Sequence, residues 1–321
     1  MFALLDLPTE IRTLILQYAL LARRDPPSSP SKTNRSLFKD LPYRSWRYRL
    51  YQEHTEKHCP SNALPLLLTS RQIYSETRAI LDLPACETNY HLDISMLNEI
   101  DLYPTWLCVP QATAKVSTLY ADIRLFGHII SLNEAAHQTG DGGHLGFHWS
   151  FYALLERFLA YGPVSEKKDK DGKFRNESGR GSFRTRDNPM FTDRHVTIDT
   201  LILSISDAET QFSLPPSDVH FREWWGQHHN QFLFRNENDA PVGLAKYSSR
   251  PIWVAEHLGR EIHCLLGMGS HHRPYGEILY ERIRRIKILV EGELHREFDL
   301  VKELEKLREH ASDSLTGRMR T

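Results

Sequence analysis

The sequence predicts an α/β protein: an N-terminal helical module packed on a two-layer, mostly one-face-covered mixed sheet with intervening helices. Three observations carry the prediction. Short apolar stretches alternate with a period of two; longer stretches with a period of about 3.6 lie between them; and the chain opens on a proline-led helical pattern that is apolar on more than one side.

The totals bound the class. A chain of 321 residues has room for two structural parts. Forty basic residues against forty-one acidic ones give a net charge of −1, so no global attraction to nucleic acid or anionic lipid is expected. The four cysteines are widely spaced and show no CxxC pattern, which points to a reducing compartment, cytoplasmic or nuclear. Asp6, Pro8, Glu10 and Arg12 interrupt the apolar opening, and no run is long and apolar enough to cross a bilayer. No membrane partner is expected.

In "LLDLPTEIRTLILQYAL" (4–20), Pro8 suits the start of a helix, where its missing N–H has no intrahelical partner. Ile11, Leu14, Ile15, Tyr18 and Ala19 fall on one face, and Leu16, Leu20 and Leu21 widen the apolar arc. A second helix is read in "LPLLLTSRQIYSETRAIL" (64–81), with Leu67, Ser70, Tyr74, Thr77 and Leu81 along one face. The two helices are expected to pack on each other, with Tyr18, Arg71, Tyr74 and Glu76 at their interface. Arg71 and Glu76 stand five apart and do not face each other on one helix. Glu76 with Arg12, Arg71 with Glu10, or two solvated charges are the alternatives. Residues 1–88 form this module, and its spacer at 22–42, rich in proline and serine at its start, reads as flexible.

Residues 89–321 read as an α/β binding domain. "NYHLDIS" (89–95), "KVSTLYADIRLF" (115–126), "HVTIDTLILSIS" (195–206) and "RIRRIKILVEG" (282–292) are the strand candidates. Leu201, Leu203 and Ile205 take one face of the third; Ile286, Ile288 and Val290 take one face of the fourth, opposite Arg285 and Lys287. Helical patterns intervene at 149–162, 218–234 and 250–267, and a charged amphipathic helix follows at 297–310. Residues 163–194 carry almost no large apolar side chains and are expected to form a disordered loop.

Taken together, "DLPTEIR" and "TSRQIYSET" resemble the N-terminal module of the large fungal family of F-box-like proteins, over about the first ninety residues. The resemblance implies a helical grip on the Skp-type adaptor of a cullin ubiquitin ligase, with the downstream domain holding a protein substrate. It implies that Leu7 and Pro8 open the adaptor-facing surface, and that Ile11, Leu14 and Ile15 divide between that surface and the core. Glu10 and Arg12 become rim charges. The spacer departs from a compact module of this kind, unless "YRSWRYRLYQ" supplies a middle helix.

Other chemistry is thinly marked. Among seventeen histidines, His144 with His148, His228 with His229, and His263 with His271 and His272 are the pairings that invite a metal. None has a zinc frame such as HExxH or CxxC, so no metal and no cofactor are expected. "GMGSHH", "DGKF" and "TGDGGHLG" miss the spacing of nucleophile elbows and phosphate loops, and the expectation is a non-catalytic protein. Arg44, Arg47 and Arg49 interleave with Trp46 and three tyrosines, a pattern that suits stacking on single-stranded RNA. That segment supports the alternative reading, a structural or interaction protein whose helices only cap the sheet. Trp224, Trp225 and Trp253 are read as core.

Overall fold

Among the residues that the computed structural model describes, 4–41, 49–53, 61–83, 88–128, 146–164, 196–208, 213–223, 247–269 and 273–318, sixteen elements follow one another. A 3-10 turn at Leu4–Asp6 leads into helix α1 (Thr9–Leu21), then strands β1 (Arg35–Leu37) and β2 (Tyr51–Glu53). Helices α2 (Ala63–Leu67) and α3 (Arg71–Leu81) precede strands β3 (Asn89–Leu97), β4 (Asp101–Cys108) and β5 (Lys115–Phe126). Helix α4 (Phe147–Tyr161), strand β6 (Thr197–Asp207), and helices α5 (Pro251–Leu266) and α6 (Arg273–Arg282) come next. Strands β7 (Ile283–Val290) and β8 (Glu293–Asp299) and helix α7 (Leu300–Arg318) complete the order.

The α/β class follows from the six-stranded sheet, whose order is β4-β3-β5-β6-β7-β8. The four central strands are parallel, and an antiparallel strand closes each edge. Pro104 sits in β4, where the sheet ends and a missing ladder donor is tolerated. The β7–β8 hairpin turns through Glu291 and Gly292, both at positive φ, as a two-residue turn of primed type demands. Asp299 ends β8 and opens α7: its carboxylate accepts from the Lys302 N–H at 3.3 Å, which holds its pKa below the usual carboxylate range. Residues 297–299, read as helix from the charge pattern, are therefore strand.

The period-two pattern has a physical consequence here. Tyr90, Leu92, Ile94, Leu119, Ile123, Leu201, Leu203, Ile205, Ile286 and Ile288 form one core with residues of α4, α5 and α6. Helix α4 is buried on almost every side, as a helix sandwiched against a sheet must be. On the opposite face His91, Asp93 and Ser95 are also buried, although they are polar. Asp93 accepts from Arg124 Nη2 at 3.0 Å, and Arg124 donates in turn to the Pro27 carbonyl at 2.7 Å. Residues 24–35 thus run over this polar face, whereas Phe38 and Leu41 pack on the α4 side. The Arg24 N–H donates to the Leu107 carbonyl at 3.0 Å, and Arg35 donates to the Tyr51 and Pro104 carbonyls and to Thr105. Asp40 accepts two bonds from buried Arg157 of α4, at 2.9 and 2.8 Å. No helix among the described residues is long and apolar enough to cross a membrane.

The second helix of the sequence reading is two helices. Ser70 interrupts the run and caps α3, its hydroxyl accepting from the Ile73 N–H at 3.2 Å. Most of the loop at 163–194, and all but the start of the helical pattern at 218–234, lie outside the described residues; so do Trp224 and Trp225. Trp253 is buried beside Val219, Phe221 and Tyr247.

Candidate docking surface

Helices α1, α2 and α3 have an apolar core of their own, made by Leu16, Leu20, Ala63, Ile73, Ile80 and Leu81. Leu16 and Leu20 lie one turn apart on α1 and meet the Ile73 and Ile80 face of α3. One polar pin crosses this pair. The Arg12 guanidinium reaches Glu76, with Nε–oxygen distances of 3.1 Å and Nη2 at 2.7 Å from Oε1. It also donates to the Leu5 and Leu7 carbonyls and to Thr9 Oγ1, so one side chain ties the 3-10 turn, α1 and α3 together. Hydrogen bonding from Arg12 holds the Glu76 carboxyl below its ordinary range, with a smaller contribution from Gln72.

Asn62 joins this unit to the sheet. Its side-chain N–H groups donate to the Leu20 and Ala22 carbonyls at 2.8 and 2.9 Å, which satisfies acceptors left over at the end of α1. Its backbone N–H donates to the Val109 carbonyl just beyond β4, and that of Ala63 to the Pro110 carbonyl.

The inward stripe of α1 being spent on α3, a second stripe faces out. Ile11 is 45% exposed, Leu14 50%, Ile15 39% and Tyr18 77%. Their spacing of three and four residues places them on one side of the helix, and Leu4, Leu5 and Leu21 are exposed as well. Burying the exposed parts of the four stripe residues against a partner is worth about 1 kcal/mol apiece, roughly half of a full apolar side-chain burial.

These positions correct several expectations. Tyr18, Arg71 and Tyr74 are exposed and do not build the helix pair's interface; Leu16, Leu20, Ile73 and Ile80 do, with Thr77 buried among them. The inward face lies about one position away from the expected one, because α1 is apolar over a wide arc and the second helix is broken before Arg71. Glu76 joins the interface through Arg12. Arg12 is itself buried, an internal pin rather than a rim charge. Leu7 is half-buried, with its carbonyl bound to Arg12, and Pro8 is exposed at the N-cap of α1. Ile11, Leu14 and Ile15 all lie on the outer stripe rather than dividing between surface and core.

Arg44, Trp46 and Arg47 lie outside the described residues. Arg49 is engaged with Asp101, its Nη2 at 2.8 Å from Oδ2. Of the histidines singled out from the sequence, His144, His228, His229, His271 and His272 lie outside the described residues, and His263 is exposed on α5. His148 instead converges with His257 and Glu261, two residues that no sequence frame had marked. Their i,i+4 spacing was the one available signal.

Compared with known protein families, curated proteins and solved structures, the chain has no match in any of the three.

Proposed function

We propose that the chain is a non-catalytic docking protein of F-box-like type, in which the outer stripe of α1 grips a Skp-type adaptor and the α/β domain presents a protein substrate to a cullin ubiquitin ligase. The observation that supports this reading is the double use of α1. Leu16 and Leu20 are spent on α3, while Ile11, Leu14, Ile15 and Tyr18 stay exposed on the other side of the helix. Helix-in-groove recognition needs such a face: anchors three and four residues apart on a helix already held rigid, so that little ordering cost is left for binding. The Arg12–Glu76 pin supplies that rigidity. The partner's identity comes from the resemblance of "DLPTEIR" and "TSRQIYSET".

A pull-down with purified Skp-type adaptor tests the assignment. The wild-type chain is expected to retain the adaptor, and the double variant Ile11→Asp, Ile15→Asp to lose it while keeping its thermal midpoint. Equal retention by both proteins would remove α1 from the interface.

A further inference from the structure

Away from the N-terminal module, two of the helices that cover the sheet bring three metal-ligating side chains together. His148 stands in the first turn of α4, and His257 and Glu261 stand one turn apart on α5. A donor atom from each lies within 4.8 Å of the other two. His257 Nε2 is 3.0 Å from His148 Nδ1; His148 Nε2 is 3.9 Å from Glu261 Oε2, and His257 Nδ1 is 4.0 Å from Glu261 Oε1. The residues belong to segments more than a hundred positions apart, and only the parallel packing of β5, β6 and β7 sets α4 beside α5.

We propose that His148, His257 and Glu261 form a site for a divalent transition cation of the zinc class. Two imidazole nitrogens and one carboxylate are a borderline-soft donor set that suits zinc and disfavours calcium or magnesium, which take oxygen ligands. Bonds of about 2.0–2.2 Å to a tetrahedral zinc place neighbouring donors roughly 3.3 Å apart. The two histidines already stand near that separation. Glu261, whose side chain is 25% exposed, has a carboxylate oxygen within 4.8 Å of a nitrogen of each histidine, and a rotamer adjustment brings it in to join them.

The surroundings favour retention of an ion. His257 is buried, and Trp149, Phe151, Leu155, Leu258, Ile262 and Leu265 line the adjoining pocket with Glu261 and His148. In such an apolar setting the attraction between a cation and a carboxylate is screened far less than at the surface. Three protein ligands leave a fourth position for water or an added donor. The cation joins α4 to α5 across the sheet's covered face and stabilises the domain by mass action, since the ligands come together only when the chain is folded. This site is independent of the docking surface on α1.

The test uses the full chain, stripped with EDTA and titrated with zinc chloride against a chromogenic chelator. One equivalent is expected to bind per chain, with a rise in thermal midpoint. Glu261→Gln and His148→Ala are each expected to weaken that binding by roughly tenfold or more and to abolish the thermal shift. Cobalt in place of zinc is expected to show the intense visible bands of a four-coordinate ion in the wild type and not in Glu261→Gln. His257→Ala serves as a further check, but its position in the core makes Glu261→Gln the deciding variant. No stoichiometric binding, or equal binding by wild type, Glu261→Gln and His148→Ala, overturns the proposal and leaves a hydrogen-bonded histidine pair with adventitious binding to other histidines.

Discussion

His91 shows what one residue contributes to the behaviour of this fold. It sits buried on the polar face of β3, its ring stacked on Tyr120 with centroids 4.5 Å apart. Burial, with the nearby charge of Arg23 adding to it, pushes its pKa from 6.5 down to about 4. The unfolded chain therefore binds a proton near pH 6.5 that the folded chain refuses. Stability from this group is complete above pH 6.5 and drains away as pH falls toward 4, by no more than about 1.4 kcal/mol per pH unit. Thermal midpoints at pH 7 and pH 5 check it: His91→Phe, which keeps an aromatic ring for the stack, is expected to lose less on acidification than the wild type. An equal loss in both would mean that His91 does not contribute to the acid sensitivity. Nothing in "NYHLDIS" announced this burial, because period-two alternation assigns His91 to the wetter face. What covers it is the spacer, whose prolines and serines carry no hydrophobic signal; it is held instead by backbone carbonyls and arginines such as Arg124 and Arg35.

At the scale of elements, legibility followed periodicity. β5 was readable to the residue, since a half-buried strand advertises itself by strict alternation. β6 and β7 were placed to within one or two residues. β4 went unread: its first five residues are all buried, so "DLYPTWLC" has no alternation, and Pro104 argues against a strand unless the strand is known to be an edge. The helices of the N-terminal module were legible as helices but not in rotation, because α1 is apolar through more than half a turn. That ambiguity separates two kinds of leucine on one helix. Leu16, 1% exposed, is expected to cost about 2–5 kcal/mol on replacement by alanine. Leu14→Ala, two positions earlier and half exposed, is expected to stay within about 0.5 kcal/mol of wild type. Urea denaturation of both variants measures the difference. Similar losses at the two positions would show that the outer stripe is occupied within the chain.

For the whole molecule, the α/β class was legible because strand and helix periods alternate along the chain, and each crossover returns a helix to the same face of the sheet. The convergence of His148 with His257 and Glu261 was not legible. It arises only when two crossovers separated by β6 are laid side by side, and neither segment carries a recognisable metal frame. The same division applies to function. Nothing in the length, charge or composition of the chain identifies a partner, and the docking assignment depends on how the fold uses one short amphipathic helix.

On that assignment the helix keeps an oily side for another protein after its own fold has taken what it needs. Titration calorimetry of the full chain with a purified Skp-type adaptor, repeated over several temperatures, addresses it most directly. One-to-one binding is expected, with a negative heat-capacity change, the mark of apolar surface leaving water, and a loss of at least roughly tenfold in affinity for Leu14→Ser with Tyr18→Ser. An absence of binding heat at every temperature, or a double variant that binds as tightly as the wild type, would contradict it.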